Sequence, residues 1–159
     1  MAFPERIYTE DEVNKAREII AQGHKHNVDI KGKSGFKCKT QQAFELIKIA
    51  GCYNFFRTYI RSIIEIDGLT QLREADAAIW ATRYTVENPV DAASFFVQKA
   101  SVMKEYIEGK LHYGGTAEKR SAEKRIEFLK TLKDKTDKKE VATECERLLD
   151  LWRESSLVY

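Results

Sequence analysis

Four lysines set two or four residues apart, Lys31, Lys33, Lys37 and Lys39, carry the most chemical content in this sequence. The stretch that holds them, HNVDIKGKSGFKCKT, alternates apolar and polar positions: Val28 and Ile30 before KGKSG, Phe36 and Cys38 after it. Alternation interrupted by a glycine-bearing turn is the pattern of a β-hairpin. On such a ribbon the lysines can contact the phosphates of a nucleic acid, or any other anionic surface. Lys25 precedes them, and Arg57 and Arg61 follow one turn apart. The candidate anion-binding or nucleic-acid-binding residues are therefore Lys31, Lys33, Lys37, Lys39, Arg57 and Arg61, with Phe36 and Tyr53 as stacking faces. The same lysines have a structural use, because charge on an exposed strand edge prevents aggregation. Arginine, which reads bases bidentately, is absent from the ribbon. The two arginines also have an internal use: Arg61 can pair with Glu65 at i+4.

Other constellations are incomplete. Gly32-Lys33-Ser34 matches the end of a phosphate-binding loop, but Asn27 stands where the first glycine belongs, and the hairpin reading puts no helix directly after it. His24 and His26 lie two apart, and a hairpin would bring Cys38 near them. That makes three zinc donors with no fourth, so no metal is expected. Glu65, Asp67, Glu74 and Asp76 gather in sequence around Gly68, as carboxylates for acid–base work do, yet helix ends and solvated faces use the same residues. No Cys or Ser stands in a recognisable relation to a histidine, which leaves the catalytic residues unassigned and no cofactor implied.

Composition narrows the class. The chain has 159 residues, hydrophobic 43% and charged 33%, with 8 Phe, 7 Tyr and 2 Trp. That supports a folded domain able to bury about 70% of its unfolded surface without disulfides or metal. Three widely spaced cysteines, Cys38, Cys52 and Cys145, give no disulfide framework. No apolar run approaches the ~18 residues of a membrane span, and residues 1–13 lack a signal-peptide pattern. The expected setting is cytoplasmic, with no membrane partner. The net charge of +2 conceals an asymmetry: residues 23–61 carry eight Lys or Arg against two acids, and the remainder of the chain is net acidic. A local basic block points to an anionic partner.

The elements that must position these residues read as mostly helical. A T-x-x-E capping box at Thr9 and Glu12 opens a first helix that ends at Gly23. After the hairpin, residues 41–66 read as one central buried helix, with Gly51 costing about 1 kcal/mol in its middle. A further helix fits 69–86. Asn88-Pro89 opens the next, to about Gly109. Two charged amphipathic helices follow, of opposite charge balance, with a short connection at 134–137. The expected fold is mainly α. It is a single domain over 1–159, a bundle of five or six helices with a core at 9–113, a small β-hairpin after the first helix and a C-terminal antiparallel helical hairpin at 116–154.

The expected function is a non-enzymatic binding or scaffolding module with a basic hairpin. Its partner is a protein, or a second copy of the chain through the C-terminal helices. The alternatives are a nucleic-acid-binding protein acting through the ribbon, or a small enzyme with a site near Arg57, Arg61, Glu65 and Glu74.

Overall fold

The computed structural model describes residues 2–156. The described residues form six α-helices and a four-stranded sheet, and the fold is mainly α. In chain order the elements are α1 (Glu10–Ala21), β1 (Asp29–Lys31), α2 (Ser34–Ile49), α3 (Tyr53–Tyr59), β2 (Ser62–Glu65), β3 (Gln71–Arg73), a 3-10 turn (Glu74–Asp76), β4 (Ala78–Ala81), α4 (Pro89–Ile107), α5 (Gly115–Lys135) and α6 (Lys139–Ser156). The strand order is β1-β2-β4-β3, with β1, β2 and β4 mutually parallel and β3 antiparallel to β4.

The caps are where local chemistry requires them. The Thr9 hydroxyl accepts from the Glu12 amide, and the Glu12 carboxylate accepts from the Thr9 amide. The Asn88 side chain accepts from the amides of Val90 and Asp91, and Pro89 fills the first helical position, where its missing N–H is not needed. Gly23, at φ 92°, leaves α1 through the left-handed region.

Three expectations are corrected. There is no hairpin after the first helix. Residues 29–31 form a strand, but its partner is β2, in parallel, and residues 34–49 are helix. The alternation of Phe36 with Cys38 misled, because Phe36, Thr40, Ala43, Phe44 and Ile47 form a buried helical stripe around it. The single helix expected over 41–66 is two helices and a strand. Gly51, at φ 78°, terminates α2 where one continuous helix was expected, and the β-branched run Ile60, Ile63, Ile64 feeds β2. The helix expected over 69–86 is a β3–turn–β4 unit, turned by Ala77 at φ 51°.

One apolar cluster runs from Ile7 through Ile47, Phe56, Ile63, Ile79 and Phe96 to Leu132 and Leu149. β1, the α2–α3 crossover and β2 make a parallel βαβ unit, and the inner face of the whole sheet, Ile63, Ile79 and Leu72 with Ile30 packed against them, belongs to this core. The α5–α6 pair is part of this core, since Phe128, Leu129, Cys145 and Leu148 lie in the same cluster. The opposed charge of α5 and α6 meets at Lys133–Glu146, while Arg120 and Arg125 turn to Glu105 and Asp91 on α4.

Candidate functional site

The end of β1 runs directly into the start of α2 through Gly32 and Lys33. Lys33 is the N-cap residue, extended at φ −70° and ψ 162°, and its side chain makes no capping hydrogen bond. The first turn of α2 contains no acid. A helix amino end carries partial positive charge and normally gathers Asp, Glu, Ser or Thr. Here it gathers Lys31, Lys33 and Lys37, all exposed, and Lys39, half-buried. Among the described residues none of the four lysines is in an ion pair. One carboxylate answers this field: Glu65, at the end of β2, accepts from the Lys33 amide at 2.8 Å. Gly32 makes the approach possible. A Cβ there would lie 2.7 Å from the Glu65 Cβ and 2.9 Å from the Phe36 ring.

The strand and helix around Gly32-Lys33-Ser34 correct the expectation of a hairpin turn, since a strand does precede the tripeptide and a helix does follow it. The first glycine of a phosphate loop is still missing at Asn27, and β1 is a short edge strand whose two end residues are exposed. The geometry is that of a helix amino end facing the carboxyl end of a parallel sheet, where backbone amides favour anions.

Arg57 and Arg61 are not beside the lysines. The Arg57 Nε donates to the His26 carbonyl at 3.1 Å, and the His26 amide donates to the Arg57 carbonyl at 2.8 Å. The Arg61 guanidinium donates to the Pro4 and Glu5 carbonyls and lies 5.0 Å from the Phe3 ring centre. Burial disfavours its charge, while Asp76 and Glu5 favour it. Both arginines thus fasten the residues before and after α1. Arg61 has no bond to Glu65, which lies at the other end of β2. Of the proposed stacking faces, Phe36 is buried in the core and Tyr53 packs on Phe44 at 5.7 Å.

The histidine pair is also part of this fastening. Phe3 stacks on His24 at 5.4 Å and meets His26 edge-on at 4.5 Å; the facing ring nitrogens of the two histidines are 3.4 Å apart. His26 is buried, and its Nε2 has no hydrogen-bond partner. Burial, then the neighbouring His24, Arg61 and Arg57, pulls its pKa down to about 4. Cys38 is exposed on α2, where its thiol accepts from Gln42, so the expected third donor is elsewhere. No group of three potential metal donors exists among the described residues.

The four carboxylates do not converge. Glu65 caps α2, whereas Glu74 and Asp76 sit in the 3-10 turn at the opposite end of the sheet, with Glu74 3.9 Å from His112. The enzyme site expected from Arg57, Arg61, Glu65 and Glu74 is therefore dispersed over separate regions.

Two features escaped the sequence reading. Arg125 is almost buried and donates to Ser94 (2.9 Å), Gln98 (3.2 Å) and Asp91 (2.6 Å) on α4, while lying over Trp152. Arg73 lies 4.3 Å from the Trp80 ring centre across the β3–β4 pair. Neither pairing is visible in sequence spacing, since both join different elements. Surface grooves of about 380 Å³ (Asp91, Arg147, Trp152) and 330 Å³ (Phe55, Glu105, Arg120) flank α4, and neither includes the lysines. No described helix is long and apolar enough to cross a membrane. Comparison with protein-family models, curated proteins and solved structures finds no match.

Proposed function

We propose that this protein is a binding module, not an enzyme, and that the β1–α2 junction is its contact with an anionic partner. The observation that carries this is the inverted charge at the start of α2. A helix amino end with no acid in its own first turn, and with Glu65 as the one carboxylate on its amides, sits among Lys31, Lys33 and Lys37, none of them ion-paired among the described residues. Several cations on the later helices are paired: Arg125 with Asp91, Arg120 with Glu105, Arg147 with Glu144. Three lysines gathered at one helix amino end, where the backbone is itself partly positive, have electrostatic work to do outside the molecule. Lysines on a mobile stem suit the phosphates or carboxylates of an extended polyanion, since they supply charge without fixed geometry. Edge protection explains Lys31 on the edge strand β1, but not Lys33 and Lys37 on a helix.

The test is fluorescence anisotropy with a labelled DNA duplex as a simple polyanion, at low salt, for the wild type and for a variant combining Lys31→Glu, Lys33→Glu and Lys37→Glu. Binding by the wild type that the variant loses supports the junction as the contact. Equal binding by both, or none by either, removes it.

A further inference from the structure

Alternation along the strands gives the sheet two unlike faces. Ile63, Ile79 and Leu72 point into the core. The neighbouring positions, Lys31, Ile64, Trp80 and Gln71, stand opposite one another in a single row across all four strands. Ile64 and Trp80 are only half-buried and neither packs on the core. The next row on the same face, Ser62 and Ala78, is buried, so the open part of the face is the Ile64–Trp80 row, with an indole outside the core cluster. Arg73, exposed and on the same face, lays its guanidinium on the Trp80 ring. A second such pair follows where the chain leaves β4: the Arg83 guanidinium lies 4.8 Å from the ring centre of Tyr84, which is 67% exposed. Threonines fix that exit, with the Thr85 hydroxyl bonded to those of Thr70 and Thr82.

We propose that this open face binds single-stranded nucleic acid, with bases stacking on Arg73–Trp80 and Tyr84 and the backbone running toward Lys31. The inference rests on the basic junction proposed above and names its partner. Three observations favour this occupant. Guanidinium and aromatic groups already lie against each other in two pairs, and single-stranded bases stack on aromatic rings and on guanidinium planes alike. The cations that rim the row are Lys31, Arg73 and Arg83; the nearby acids are Asp29 at the far end of β1, Asp67 in the loop after β2, and Glu65, whose carboxylate is taken up by the Lys33 amide. Lys31 belongs both to the row and to the junction, so the two surfaces are continuous. A duplex hides its base faces and would use only the lysines.

The experiment compares a labelled 12-nucleotide oligouridylate with a duplex of the same length, on the full chain at low salt. The expected result is tighter binding of the single strand, weakened about ten-fold by Trp80→Leu and by Arg73→Lys, with duplex binding unchanged. Arg73→Lys keeps the charge and removes the plane. The single strand should also quench Trp80 emission, read in a Trp152→Phe background so that one indole reports; this readout serves if Trp80→Leu fails to fold. Binding of the single strand that ignores both substitutions, or leaves Trp80 emission unchanged, overturns the platform; if the triple lysine variant still loses binding, the basic junction stands alone. Absence of binding to either probe removes both.

Discussion

Gly32 is fixed by contact. Its missing side chain lets the Glu65 carboxylate reach the Lys33 amide, and a methyl group would press on the Glu65 stem and the Phe36 ring. Gly32→Ala is expected to destabilise the protein by about 1–3 kcal/mol, measured by urea unfolding; an unchanged midpoint would contradict the close approach. His26 is constrained by solvation. Its folded pKa of about 4 lies below its ordinary 6.5, so on acidification the unfolded chain takes up a proton first. Stability should therefore fall as pH drops from about 6.5 toward 4 and be flat with respect to this group above that window. His26→Phe keeps an aromatic against Phe3 and removes the unpartnered nitrogen. The variant's stability should lose this slope; a slope as steep as the wild type's would place the proton elsewhere.

At the scale of elements, α5 is tied to α4 by Arg125. Replacing it with Met keeps much of the stem against Phe95 and Trp152 but strands Asp91, Ser94 and Gln98. Asp91 is 40% exposed and recovers water, so the expected loss is about 2 kcal/mol, below that for a fully buried pair. Lys133→Ala, which breaks a solvent-screened pair with Glu146, should cost less than the Arg125 change. Equal effects in thermal unfolding would contradict this ranking. The elements legible in the sequence were those with end signals: Thr9 with Glu12, Gly23, Asn88-Pro89 and Gly109 all mark boundaries in the structure. The sheet was not legible because its strands are three or four residues long and buried on one or both faces. Ile60 to Ile66 shows no clean alternation, since Ser62 and Ile63 are both buried. Gly51 was visible as a misfit in a helix; that it ends the helix follows from its positive φ, which no pattern displays.

Across the whole molecule, most ion pairs of the described residues lie on α4, α5 and α6. The helices α4, α5 and α6 hold ion pairs, and the β1–α2 junction holds none for its lysines among the described residues. Of the site residues, the sequence made the lysines legible as a basic block, while their support proved to be a strand–helix junction; Arg57 and Arg61 went instead to the residues flanking α1. The central claim, that the junction exists to meet an anion, is tested most directly by the salt dependence of single-strand binding. If Lys31, Lys33 and Lys37 each neutralise a phosphate, log K should fall with log salt at a slope of roughly −2, and substitution of all three with Glu should abolish that slope. A slope near zero in the wild type, or one that the substitutions leave unchanged, would contradict the account.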